Sequence, residues 1–402
     1  MYGAQLMEAL RRPVLRNSAE LRSAGQPGAA VPTQASRSTQ ARQLEFFGVG
    51  GERMRASGCD TVVDAKELSV VGITEILSHL PKIWGLFHKL IIEADHRRPD
   101  LAIVIDSPAF NWRVARQMHK RGIPVVYYVC PQFWAWRQGR VRLLRKYVTK
   151  ALVIFPFEEK FYRDRGVDAS FVGHPLADLP CPAVDRGAYA AQHKLDAAKQ
   201  WITIMPGSRP KEVRMNLPGI LNAAHRLGPG YEFLLPVAPT LDRTFVQKLI
   251  GTRADIRLVD QALPALAQSR AGIIASGTAT VEAAVMGTPF VMVYRVSSLT
   301  YALGRPRVKV SHFAMVNLIA GEQVVPELVQ DRFTAENVVS ELQKIIPDGV
   351  DRRTMIEKLA QVKIRLRGEQ QDHLHPAERA AEAVLELVRG AQAGTPAPTS
   401  RI

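Results

Sequence analysis

Short apolar runs that alternate with helical stretches, in two successive series, constrain this chain more than any other feature. From Leu44 the runs LEFFGVG, LAIVIDS, IPVVYYV and KALVIFP are spaced by stretches of helical periodicity such as FNWRVARQMHKRG. Strands separated by helices form βαβ units, and these build a mostly parallel sheet. The rhythm stops at GHPLADLPCPAV (173–184), where three prolines suggest a linker, and restarts with WITIMPGSR, YEFLLPVA, IRLVD, AGIIASG and PFVMVYR. The expectation is an α/β chain of two doubly wound, Rossmann-like lobes facing each other across a cleft, with strand ends supplying the site.

The boundaries read this way are 1–175 for the first lobe and 176–367 for the second. A C-terminal helix over 368–392 packs back on the first lobe or on a partner subunit, and 393–402 is a loose tail. Residues 17–43, rich in Ser, Ala, Gln, Gly and Pro without apolar periodicity, read as a disordered insertion.

Composition narrows the function classes. The three cysteines, Cys59, Cys130 and Cys181, form no C-x-x-C pair, which argues against a disulfide framework and a zinc site. The longest apolar-rich stretch, residues 271–294, contains Glu282 and is cut by Gly277, Gly287 and Pro289, so it reads as strand, turn, helix and strand rather than a membrane span. No secretory signal opens the chain, and the expected compartment is the cytoplasm. A net charge of +15 favours an anionic partner: nucleic acid, an acidic membrane or a phosphorylated substrate.

Two motifs in the second half fit a phosphate ligand. In ITIMPGSRPKEV the turn Gly207-Ser208-Arg209 follows a strand and precedes a helix, so backbone N–H groups and a guanidinium can hold a phosphate; an ordinary turn with a solvated arginine is the alternative. In ASGTATVEAA, Ser276, Gly277 and Thr278 open a helix and Glu282 lies within its first turns, which suits a diphosphate and the two hydroxyls of a ribose. Read more simply, Ser276 or Thr278 is an N-cap and Glu282 complements the helix dipole. The pair together points to a nucleotide-sugar site.

FFGVGGERM, LSVVGITEIL, IDSPAFN, YYVCPQFWAWRQGRV, FPFEEKFY, FVGHPLAD, MPGSR, ASGTATVEAA and VNLIAGEQVVPELVQ together resemble the lipid-A-disaccharide synthases over roughly residues 44–390. The resemblance implies an inverting GT-B glycosyltransferase that joins UDP-2,3-diacylglucosamine to 2,3-diacylglucosamine 1-phosphate through a β(1→6) bond and releases UDP, with no metal and no cofactor. It implies Asp106 as catalytic base with Asn111 beside it, Arg209 balancing charge on UDP, and Asn317 among the UDP contacts. It also suggests a homodimer, peripheral on the cytoplasmic face of the inner membrane.

Other readings stand beside these roles. Asp106 or Ser107 can be an N-cap ahead of Pro108. Trp134, Trp136, Arg137 and Arg140 can wall the acceptor side, pack a lobe seam, or stack bases, although no nucleic-acid fold motif accompanies them and no nucleic-acid partner is expected. The stretch 68–98, with Leu80, Trp84 and Phe87, is apolar on nearly every helical face, which fits either buried core or a surface that receives acyl chains. Alternative functions are another GT-B enzyme of UDP-N-acetylglucosamine, an epimerase or transferase, or a non-catalytic UDP- or membrane-binding protein. The family opens with a strand and a Gly-Glu-Ala-Ser-Gly-Asp turn, whereas YGAQLMEALRR resembles the helix that follows them. The first lobe is therefore expected to lack its central strand, and an in-frame segment encoding it is expected upstream of Met1.

Overall fold

A computed structural model of the chain describes residues 2–23, 44–68, 73–368 and 374–392. The strands of the first lobe are β1 (Phe46–Gly50), β2 (Cys59–Asp64), β3 (Ala102–Ile105), β4 (Val125–Tyr128), β5 (Lys150–Val153) and β6 (Ala169–Phe171). Those of the second lobe are β7 (Gln200–Met205), β8 (Tyr231–Pro236), β9 (Ile256–Val259), β10 (Ala271–Ala275), β11 (Phe290–Tyr294) and β12 (Glu327–Val329). Every pairing is parallel. The sequence reading finds nine of these strands and misses β2, β6 and β12. Each missed strand is the outer member of its sheet, and β6 and β12 are only three residues long. A run this short gives little apolar signal, and β2 has only Val62 and Val63 as adjacent aliphatic residues.

The second lobe has one sheet in the order β12-β11-β10-β7-β8-β9. The first lobe has two, β1-β2 and β3-β4-β5-β6. β1 and β3 nevertheless share their layers. Phe46, Ile103 and Ile105 border the apolar cluster that contains Leu6 and Leu10, while Phe47 and Val49 border the one that contains Val104 and Val114. Among the described residues β1 pairs only with β2, and β3 only with β4.

The helix Tyr2–Ser23 extends into the segment read as a loop from residue 17, because Ala19, Glu20, Leu21 and Arg22 all propagate a helix readily. Residues 24–43, the rest of that segment, and the tail 393–402 lie outside the described residues. The C-terminal helix, Pro376–Gln392, packs on Tyr2–Ser23, with Ala377, Ala380, Ala381 and Val384 against Leu6, Ala9 and Leu10. Arg12 and Glu378 form an ion pair across that seam at 2.5 Å.

Two chain crossings connect the lobes, and they are tied together. The His174 N–H donates to the Leu366 carbonyl at 2.8 Å, and Arg367 pairs with Asp178 at 2.8 Å. Gly173, at φ +88, lies where a Cβ would come 3.2 Å from the Arg367 carbonyl oxygen. Among the described residues no helix is long and apolar enough to cross a membrane.

Candidate functional site

The order of the second sheet fixes where a ligand fits. From β7 the chain adds β8 and β9 on one side, then returns to place β10 on the other side of β7 and continues outward to β11 and β12. The switch point lies between β7 and β10, and in parallel α/β sheets ligands bind in the crevice beyond the strand ends at that point. Met205 is in register with Ile274, so the turn Pro206–Arg209 and the turn Ser276–Thr278 stand side by side. Adjacent strands thus bring together two motifs that are far apart in sequence.

The first turn is folded tightly onto Glu212. The Ser208 N–H donates to Glu212 Oε2 at 3.1 Å, and Arg209 pairs with Oε1 at 3.1 Å. Gly207 has φ +128, and a Cβ there would fall 2.6 Å from Glu212 Cβ, so only glycine fits without displacement. Thr240 Oγ1 donates to the Ser208 carbonyl at 2.5 Å. From beneath, the buried Asn216 donates to the Pro206 carbonyl at 3.0 Å and accepts the Arg295 N–H at 2.8 Å, fastening this turn to the end of β11. Arg209 itself is 80% exposed at the start of the helix Pro210–Leu227.

The second turn is open. Gly277, at φ +146, has empty space on the side where a Cβ would sit, and Thr278 begins the helix Ala279–Met286 with no side-chain cap bond. The capping role of the Thr278 side chain is thus unfilled, and the N–H groups of Thr280 and Val281 donate instead to the carbonyls of Gly277 at 3.2 Å and Thr278 at 2.9 Å. Ser276 Oγ is engaged, donating to the Phe313 carbonyl at 2.8 Å. Glu282 is half-buried, and burial raises its pKa. Among the described residues no hydrogen bond or ion pair involves its carboxylate, which makes it a costly group unless a ligand supplies donors.

Asn317 differs from the expectation of a direct UDP contact. It is fully buried, and its amide donates to the Val325 carbonyl at 2.9 Å and Glu327 Oε1 at 2.8 Å while accepting the N–H groups of Val324 and Val325. Every hydrogen-bonding position is used, so Asn317 braces the segment behind Ser276 instead of facing the cleft. Glu327, which also accepts the N–H groups of Phe313 and Ala314, completes that brace.

In the first lobe Asp106 follows β3 with φ +50, and Ser107 follows with φ +43. Two consecutive left-handed non-glycine residues are strained, and such strain persists only where the surroundings enforce it. Here Asn111 Nδ2 donates to the carbonyls of Ile105 at 2.8 Å and Asp106 at 2.7 Å, and the Tyr127 hydroxyl donates to the Asp106 carbonyl at 2.8 Å. Asn111 therefore acts on the backbone that aims Asp106. Neither Ser107 nor Asp106 caps the helix Pro108–Lys120 through its side chain, and the Asp106 carboxylate stays exposed. Val129 directly after β4, at φ +59, and Arg137 further along the same loop, at φ +56, are also left-handed.

The loop after β4 divides its aromatic residues. Trp134 is buried, contrary to the expectation of an acceptor wall. It packs edge-on to Phe157, and its Nε1–H donates to Glu158 Oε1 at 2.8 Å. Glu158 is itself fully buried, and its Oε2 accepts the N–H groups of Ile154 and Phe155. Burial pushes its pKa up to about 7 despite these three donors. Trp136 by contrast is 45% exposed with the Arg137 guanidinium 4.2 Å from its ring centroid, and Arg137 and Arg140 are exposed.

The helix Ile73–Arg97 sorts its residues likewise. Phe87 is buried against Phe110, at 5.9 Å between ring centroids, and so belongs to the core, not to a lipid-facing surface. Trp84, 57% exposed, stacks on Phe87, and the side chain of Leu80 lies outside the described residues. Between the lobes, the Lys309 N–H donates to the Ala135 carbonyl at 2.9 Å, joining the segment after β11 to the loop after β4. The C-terminal ends of the two sheets therefore face each other. Sequence reasoning missed Glu158, Asn216 and Lys309, each of which takes a partner from distant chain, and Glu212, whose partners Ser208 and Arg209 lie within four residues of it.

With this geometry in place, comparison with known proteins gives consistent matches. The lipid-A-disaccharide synthetase family model matches residues 22–384. A lipid-A-disaccharide synthase of Koribacter versatilis is 50% identical over 392 residues, covering 97% of this chain and 96% of that one. Among solved structures, Glycyrrhiza uralensis UGT73P12 complexed with glycyrrhetinic acid 3-O-monoglucuronide superposes with a TM-score of 0.58 at 12% identity, covering 87% of this chain and 91% of that one. The calicheamicin glycosyltransferase CalG4 gives 0.52 at 15% identity, covering 88% and 92%. At such identities the structures establish the GT-B fold alone.

Proposed function

The chain belongs to the lipid-A-disaccharide synthetase family of glycosyltransferases, and from that premise we propose that it transfers 2,3-diacylglucosamine from UDP-2,3-diacylglucosamine to 2,3-diacylglucosamine 1-phosphate. The single observation that supports the donor half is the unpartnered, half-buried carboxylate of Glu282 beside an open helix start at the switch point. In this reading the ribose hydroxyls donate to Glu282, the diphosphate lies against the open turn Ser276–Thr278 at the positive end of the helix Ala279–Met286, and Arg209 leaves Glu212 to meet it. Residues 1–175 present the acceptor and 176–367 hold the UDP-sugar.

Asp106 takes the proton of the acceptor's 6-hydroxyl as that oxygen attacks the anomeric carbon of the donor from the face opposite UDP. The new C–O bond forms as the bond from the anomeric carbon to the diphosphate breaks, the configuration inverts, and the electron pair leaves on UDP, where Arg209 and the helix start balance it. Trp136, Arg137 and Arg140 line the acceptor side, and the protein works on the cytoplasmic face of the inner membrane, where Trp84 meets the lipid.

The test is incubation of purified protein with the two acylated sugars in detergent, following UDP release together with the acylated disaccharide. Both products in equal amount are expected. Release of UDP from UDP-N-acetylglucosamine without an acylated acceptor, or its conversion to an epimer, with no disaccharide from the acylated pair, refutes the proposal.

A further inference from the structure

No Asp or Glu occurs between Asp106 and Glu158, and none occurs between Glu282 and Glu322. Runs this free of carboxylates are open to anionic partners, and the fold places the middle of one against the middle of the other through the Lys309–Ala135 backbone bond. On the first lobe this junction displays Trp136 with Arg137 stacked upon it. On the second lobe it adjoins the helix Ser298–Gly304, where Leu299 is 71% exposed and Leu303 is 55% exposed. The two leucines are four residues apart and so share one helix face. Exposed Arg305 and Lys309 follow directly.

The chemistry of this rim selects its occupant. Leucines held in water on one face of a helix gain only by entering an apolar phase, and the flanking cations fit phosphate headgroups. Tryptophan and arginine at the same level suit the boundary between the two. A nucleic acid would use the cations and Trp136 but would leave the leucine pair wet.

We propose that the helix Ser298–Gly304 is a bilayer anchor of the second lobe, which sinks Leu299 and Leu303 beneath anionic headgroups while Arg305, Lys309 and Arg137 bind their phosphates. The proposal rests on the reading above, in which both substrates are lipids. Because Trp136 stands on the first lobe beside the Lys309–Ala135 junction, both lobes then dock on one membrane.

The experiment is co-sedimentation with vesicles of phosphatidylethanolamine and phosphatidylglycerol, with phosphatidylcholine vesicles for comparison. Wild-type protein should bind the anionic vesicles, less strongly as salt rises. The double variant Leu299→Ser, Leu303→Ser should lose about tenfold or more in vesicle affinity. Its UDP affinity by calorimetry and its turnover of detergent-dispersed substrates should be unchanged. A double variant that binds UDP normally and sediments with vesicles as wild type does overturns the anchor, as does equal binding of wild type to both vesicle types. Failure to make disaccharide in detergent instead removes the assigned reaction, while the vesicle result still decides the anchor.

Discussion

Replacing Glu158 with glutamine should change how stability depends on pH more than it changes stability at any one pH. In the fold the carboxyl is fully buried and titrates at about 7, against an ordinary value of 4.5. Between those values the unfolded chain has released a proton that the folded protein retains, so stability contributed by this group is fully present below about 4.5 and is lost as pH rises through about 7. From pH 5 to pH 8 the loss amounts to about 2.5 kcal/mol. His174 acts in the opposite sense, since burial lowers its pKa to about 4 from 6.5, and its contribution is present above about 6.5 and lost as pH falls through about 4. The two slopes offset each other in the wild-type protein, so the difference between wild type and variant is the informative quantity. A glutamine in place of Glu158 cannot titrate, and its amide group must face either Trp134 Nε1–H or the N–H groups of Ile154 and Phe155, leaving a buried donor unpaired at about 1–3 kcal/mol. The Glu158→Gln variant should therefore be less stable at pH 5 and should recover about 2.5 kcal/mol relative to wild type by pH 8. Urea unfolding followed by far-ultraviolet circular dichroism at several pH values measures this difference. A constant difference across the range would show that Glu158 does not titrate in the fold as described.

The remaining predictions concern the site. Arg209→Ala should weaken UDP binding by about 10-fold or more, as for loss of a charge-assisted contact of roughly 1.5–3 kcal/mol, and unchanged affinity by calorimetry would remove Arg209 from the diphosphate. Glu282→Gln should weaken UDP more than inorganic diphosphate, and equal losses would point to a general effect on the helix start. Asp106→Asn should fold and bind UDP yet lose about 10²–10⁴-fold in turnover; retained turnover would exclude it as the base.

Local pattern determined a good deal of this protein. The inner strands have buried, apolar stretches, and such a run reads as a strand whatever surrounds it, so β4, β5, β7, β8, β10 and β11 are legible. The glycine-containing turns at Gly207 and Gly277 are legible for the same reason, since a left-handed backbone at a strand end announces itself through residue type. The joint occurrence of Trp-Ala-Trp-Arg, Pro-Gly-Ser-Arg and Ser-Gly-Thr identifies the family without any structure.

What tertiary structure decided is the side of each residue that meets protein and the side that meets water. Trp134 and Trp136 are two residues apart, yet one lies over the buried Glu158 and the other faces outward, because only distant chain determines which side of the loop is covered. Phe87 and Trp84 separate in the same way on one helix, with Phe110 the neighbour that covers the first. The amide of Asn317 is spent on Val324, Val325 and Glu327, partners that no spacing rule selects. The crevice in which we place the nucleotide exists because β10 lies beside β7, a pairing across a long sequence interval. Periodicity and turn chemistry act over a few residues and can be read along the chain, whereas burial and pairing are properties of the folded whole.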